Sequence, residues 1–201
     1  MSIVPDAQQL PTLYKFILAD GSAPTGTGRY TLNRWRSVRG ALVPCQNGLH
    51  ATTADNLVPH INETLWRVEI DGEHLWHEDS SMGRKLVARR MRTVERIEAW
   101  NKRTARLFAV ECAERVLPIF ERERPNDTRP REALAVARRF ADGLATREEL
   151  DAAWVAAGDA AWAAAGDAAR DAAWDAGWAA ARAAERQWQN ARLMELLGLN
   201  R

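Results

Sequence analysis

The last third of the chain is written in a degenerate four-residue unit. Asp-Ala-Ala-Trp begins at Asp151, Asp159 and Asp171, Asp-Ala-Gly-Trp at Asp175, and Asp-Ala-Ala-Arg at Asp167. Alanine has the highest intrinsic helix propensity, so residues 151–188 are predicted helical from composition alone. Trp154, Trp162, Trp174 and Trp178 are separated by 8, 12 and 4 residues. A step of four residues turns an ideal helix by ~400°, so such a stripe drifts by ~40° per step. The four indoles therefore do not share one straight face. Either the helix breaks near Gly158 or Gly166, or it runs between neighbours that cover successive sectors. Small alanine faces allow close helix approach, and the expectation is that the indoles fill the gaps as core; the competing reading is an exposed ladder for a partner. Leu193, Leu196, Leu197 and Leu199 supply a final apolar patch.

Helical signals extend upstream. Ala105, Phe108, Ala109, Cys112, Val116, Ile119 and Phe120 recur at i, i+3, i+4 and i+7 and predict one apolar helix face, with Pro118 kinking the last turn. Asp127 or Thr128 caps a helix over about 130–142 that stops at Gly143. Thr146 and Glu149 form a capping box for the next helix.

The N-terminal half reads differently. Residues 12–19 predict a strand, and Tyr30 to Trp35 and Ala41 to Pro44 predict shorter ones. Gly21 to Gly28 is a glycine-rich loop, Gly48 to Ala51 a turn, and Thr53 the cap of a short helix reaching Ile61. Asp71-Gly72 between two alternating runs predicts a tight hairpin, with Ile70 opposite Glu73, Glu69 opposite His74 and Arg67 opposite Trp76. Residues 85–97 predict an arginine-rich edge strand. The whole is an α+β chain, with a strand-rich domain over 1–98 and an all-helical domain over 99–201 packed on it.

The net charge is +1, which excludes a global field for nucleic acid or membrane. The distribution is uneven: residues 84–106 hold nine Lys/Arg against Glu95 and Glu98. This belt reads first as a solvated connecting element neutralised by its flanks. Its functional reading is an anion or nucleic-acid surface made by Arg89, Arg90, Arg92, Arg96, Lys102, Arg103 and Arg106. Cys45 and Cys112 show no CxxC spacing, so they are expected as free thiols in a reducing, cytoplasmic setting. No apolar run approaches the length of a membrane span.

Candidate chemistry gathers near Cys45 and His50. Cys45, His50 and His60 with Asp55 offer metal-ligand types at a spacing that fits no zinc pattern. Cys45 with His50 has the composition of a nucleophile and base, against a structural reading as a small buried thiol and a turn histidine. An enzyme of the ADP-ribosyltransferase type would combine the Gly21–Gly28 loop, Arg29, Tyr30 and His50 with Glu69 or Glu73, by analogy of residue types alone. No GxGxxG, Walker loop or HExxH occurs, and no cofactor or metal is expected.

Two stretches carry a family likeness. Arg106 to Glu121 contains Cys-Ala-Glu and Leu-Pro-Ile-Phe-Glu, and Arg124 to Arg138 contains Pro-Asn-Asp-Thr-Arg-Pro-Arg. With the alanine-rich tail, this pattern over about 104–185 resembles the Imm-5-like family of bacterial immunity proteins. The resemblance implies a helical, non-enzymatic protein whose partner is another protein, a toxin or a host factor. Leu13-Tyr-Lys-Phe16, Pro44-Cys-x-x-Gly-Leu-His-Ala51 and Val68-Glu-x-Asp-Gly-Glu73 resemble a small domain of actinobacteria and their phages, over about 12–98, which brings no activity with it.

Overall fold

The computed structural model describes residues 10–25, 28–80, 82–168 and 175–200, without the side chains of 159–182. The chain is α+β: an antiparallel sheet followed, among the described residues, by four helices. The described residues divide into a sheet unit, ending at Glu98 and also taking in Leu197 onward, and a helical unit, Ala99–Leu196.

The sheet unit contains β1 (Leu13–Ile17), β2 (Arg36–Ser37), β3 (Leu49–Ala51), β4 (Thr64–Asp79) and β5 (Gly83–Arg96). The pairing order is β1-β4-β5-β2, and β3 also pairs with β5. Thr52, directly after β3, exchanges backbone hydrogen bonds with Tyr14 at 2.8 and 2.9 Å. Pairing therefore runs from β1 through β4, β5 and β3 back to β1. The core is Leu13, Ile17, Tyr30, Leu49, Ala51, Val68, Leu86, Ala88 and Met91.

Asp71-Gly72 does not turn the chain. β4 runs through it to Asp79, and β5 begins at Gly83, so the reversal falls between those two residues. Asp71 faces Arg90 and His74 faces Ala88, so Gly72 and Glu73 together oppose Arg89 in a β-bulge. Gly72 has φ +75°, the left-handed conformation that a glycine bulge requires. The same property that makes Asp-Gly a hairpin signal serves here to admit one extra residue. The longer pairing prevails because it matches charge along both strands. Arg67 meets Glu95 at 2.9 Å and Arg92 meets Glu69 at 2.6 Å, while Arg90 pairs with Asp71 and Arg89 with Glu73. Each such partly exposed pair contributes about 0.2–1 kcal/mol, and together they fix one register.

This also corrects the reading of 85–97 as an edge. β5 lies between β4 and the short strands β2 and β3, and its arginines are tolerated because β4 supplies carboxylates. Four further expectations change. Tyr30 to Trp35 is not a strand, and Asn33 there takes φ +58°. Ala41 to Pro44 contributes only an isolated Val43–Asn47 bridge. The expected turn at Gly48 to Ala51 is β3, and the expected helix after Thr53 is two single 3₁₀ turns, Ala54–Asn56 and Val58–His60, without a Thr53 side-chain cap.

The helical unit contains α1 (Lys102–Glu123), α2 (Arg129–Ala141), α3 (Arg147–Ala168) and α4 (Asp175–Leu197). Asn101 caps α1 by accepting from the Arg103 and Thr104 amides. The Thr146–Glu149 capping box forms in both directions, at 2.6 and 3.2 Å. After α2, Gly143 takes φ +74° and the Leu144 amide donates back to the Arg139 carbonyl at 2.8 Å, which closes the helix. Buried residues include Trp100 before α1, Phe108, Val110 and Leu117 on α1, Ala133, Ala137 and Ala141 on α2, and Asn190 and Leu193 on α4. Val116 and Ile119, expected on the apolar face of α1, are exposed; Leu117 is the residue that turns inward. Trp154 is 56% exposed, contrary to its expected core role, and Val155 beside it is 68% exposed. The side chains of Trp162, Trp174 and Trp178 lie outside the described residues.

Candidate functional site

The sheet unit holds a cavity of about 760 Å³. β1 supplies Tyr14, Lys15 and Phe16; the loop after it Ala23, Pro24 and Thr25; β3 and its approach Cys45 to Ala51; and β5 Lys85. Tyr30, Arg36, Thr52, His60 and Asn62 add polar lining, and Val38, Ile61 and Met82 add apolar wall. Ala23 to Thr25 of the glycine-rich loop, Tyr30, Cys45 and His50 thus line one cavity.

His50 projects from β3 with its backbone carbonyl accepting from the Lys15 ammonium at 2.8 Å. Its Nε2 accepts from the Cys45 backbone amide at 3.2 Å, so the proton of the neutral ring is on Nδ1. Burial, then the nearby Lys15 and Lys85 charges, push the ring down to about 4. With its lone pair engaged and its basicity lowered, His50 is a neutral structural acceptor rather than a poised general base. His60 is pushed down to about 4 by the same causes, burial first, and its buried Nε2 has no partner among the described residues.

Lys15 carries the strongest mark of the site. Burial first, and then the Arg36 charge, lower its ammonium to about 8. Its Nζ lies 5.3 Å from the centre of the Tyr30 ring, and the Arg36 guanidinium lies 5.0 Å from that centre. Two cations therefore share one aromatic ring, which offsets part of their desolvation. Lys85, 7% exposed, donates to the Cys45 sulfur at 3.1 Å and sits 3.7 Å from Asp79. Cys45 itself is held at φ +64°, a conformation that costs a non-glycine residue roughly 1–2 kcal/mol.

The metal-ligating types assemble differently from their sequence grouping. Cys45, His77 and Asp79 bring ligand atoms within 4.8 Å of one another. The Lys85 ammonium stands against the sulfur and the carboxylate, so those two groups already hold a cation. Glu69, the carboxylate suggested for a transferase, is not in the cavity lining and pairs with Arg92; Glu73 pairs with Arg89.

The basic belt is dispersed over neighbouring partners. Besides the β4–β5 pairs, Arg96 lies 3.5 Å from Glu98, Arg103 lies 2.6 Å from Asp142, and Arg106 stacks 4.3 Å from the Phe140 ring centre. Lys102 is exposed at the first residue of α1. Lys15, Arg36 and Lys85, the cations that do converge, stand 21 and 49 residues apart and gave no sequence signal. Only the pairing of β1 and β5 around β3 brings them together.

In the helical unit, ion pairs tie α1 to its neighbours. Arg192 grips Glu111 at 2.8 Å, Arg138 meets Glu114 at 2.6 Å, and Arg115 meets Glu185 at 2.8 Å while stacking 4.4 Å from the Trp188 ring centre. The Arg192 pair holds Glu111 below the usual carboxylate range. Exposed apolar side chains stand apart from this network, with Leu144 at 72% before α3 and Trp154 and Val155 on it.

Residues 95–187 match the family described as Imm-5 like putative immunity protein. No curated protein and no solved structure matches the chain. Among the described residues no helix is long and apolar enough to cross a membrane.

Proposed function

We propose that the chain is a non-enzymatic binding protein of the immunity type, whose helical unit recognises another protein, a toxin or a host factor. The observation that carries this reading is the family match over 95–187. The surface of α3 supports it: Trp154 and Val155 are large, apolar and exposed, whereas the ion pairs of α1 occupy other helices. Exposed tryptophan is the residue type most enriched among side chains that dominate protein interfaces. Loss of activity by a bound toxin requires only occlusion, so no catalytic group is needed in this unit.

The test compares the full chain with the double variant Trp154→Asp/Val155→Asp. Each immobilised protein is exposed to candidate toxins expressed separately, and binding is read by interferometry. Wild type is expected to retain one toxin, and the double variant to lose it by about tenfold or more with unchanged circular dichroism. Equal retention by both proteins removes the α3 surface from the reading. Retention of no toxin by wild type overturns the immunity reading.

A further inference from the structure

We propose that the cavity of the sheet unit is a binding site for a small organic phosphate. This site belongs to the sheet unit alone and does not rest on the role given to the helical one.

Charge is the first argument. Lys15, Arg36 and Lys85 line the cavity, and none of the described lining residues carries a carboxylate. Asp79 lies 3.7 Å from Lys85 and pairs with it. Burial first, and then the Arg36 charge, lower Lys15, and the Lys15 and Lys85 charges add to burial in lowering His50 and His60. Lys15 and Arg36, set over the same Tyr30 ring in the cavity lining, give that space a positive potential that an anion meets favourably.

Chemistry narrows the anion. Asp79 already pairs with Lys85, and the two charges of Lys15 and Arg36 balance a phosphate monoester, at about −1.5 to −2, better than a single carboxylate. Arg36 brings the planar fork that engages two phosphate oxygens at once, and Lys15 and Lys85 act as point charges. The volume exceeds what inorganic phosphate alone fills, and lies within the range of small-molecule sites. Phe16, Val38, Leu49, Ile61 and Met82 offer apolar wall for the organic part.

Placement of the fork is built into the backbone. Gly28 has φ +117°, and a Cβ there would overlap the Arg36 guanidinium. Absence of a side chain at Gly28 is therefore what lets Arg36 lie across the Tyr30 ring and into the cavity lining.

Phenyl phosphate, inorganic phosphate and benzoate serve as probes with the full chain, read by isothermal titration calorimetry and by amide chemical-shift mapping. Phenyl phosphate is expected to bind, with inorganic phosphate and benzoate each weaker by about tenfold or more, because each lacks either the apolar body or the second charge. Its largest shifts are expected at Lys15, Gly48 and His50. Arg36→Gln is expected to weaken phenyl phosphate by about tenfold or more, and Arg36→Lys to recover part of that loss. The wild-type shift map needs no variant, so a poorly folded Arg36→Gln does not shield the idea. Absence of binding by phenyl phosphate at about 10 mM, tighter binding by benzoate, or shifts centred on Lys102 to Arg106 overturns it.

Discussion

The two units solve the problem of large apolar side chains in opposite ways. The sheet unit encloses Leu57, Leu65, Leu86, Val87 and Met91 completely, and covers its exposed Trp35 with the guanidinium groups of Arg90 and Arg92 at 5.0 and 4.8 Å. The helical unit places alanine at the buried positions of α2 and leaves Val116, Ile119, Leu144, Trp154 and Val155 outside. Alanine burial removes little area from water, so helix propensity and interhelical ion pairs carry a larger share of that unit's stability. A surface rich in large apolar side chains is the usual mark of a chain that meets another.

The strongest break of this contrast is a paired truncation. Leu86→Ala is expected to cost the sheet unit about 2–5 kcal/mol, while Val155→Ala changes stability by no more than about 0.5 kcal/mol. Urea unfolding followed by circular dichroism measures both. Similar losses at the two positions would erase the distinction between a closed core and an open face.

Acid sharpens it next. His50 and His60 are held near 4 in the folded sheet unit against about 6.5 in an unfolded chain. Between those values the unfolded chain binds more protons. Sheet-unit stability is therefore full above about 6.5 and falls as pH drops towards 4. Both rings are partly exposed, so solvent screening keeps this loss below that of Leu86→Ala. Protection factors for amide exchange at β3, followed from pH 7 to 4.5, should fall more than those at α2, which has no histidine. An equal fall in both units would sink the assignment to these rings.

The smallest effect concerns the bulge. A Cβ at Gly72 meets nothing within 4 Å, so Gly72→Ala isolates the backbone conformation. A loss of about 1–2 kcal/mol is expected, from the left-handed φ alone. A neutral outcome in urea unfolding would mean that β4 can straighten without its bulge.

Much of this was readable beforehand, and the failures share a cause. Helix ends were legible because caps act locally: Thr146 and Glu149 accept from each other's amides three residues apart, and Gly143 acts on the turn before it. The strand at β5 was legible from its composition. The hairpin was misplaced because Asp71-Gly72 satisfies a turn and a bulge equally, and only the charges of β5, some 20 residues away, decide between them. Tyr30, Cys45 and His50 were singled out and do share a cavity, yet the cations that define its field were not, since Lys15, Arg36 and Lys85 converge through sheet pairing. Burial of Trp154 was expected from its residue type, and residue type cannot tell a core from a meeting surface.

The reversal between Asp79 and Gly83 has a consequence for how the molecule is made. β4 and β5 are joined by three residues and form twelve paired positions, so a ribosome that has released Arg96 has released everything this ladder needs. Hairpins close within about 1–10 μs, far ahead of synthesis. β1 pairs with Thr64–Val68, the opposite end of β4 from the reversal, and its lysine reaches the cavity only when it is docked there. The pocket therefore needs distant stretches of chain brought together, where the ladder beside it needs only neighbours.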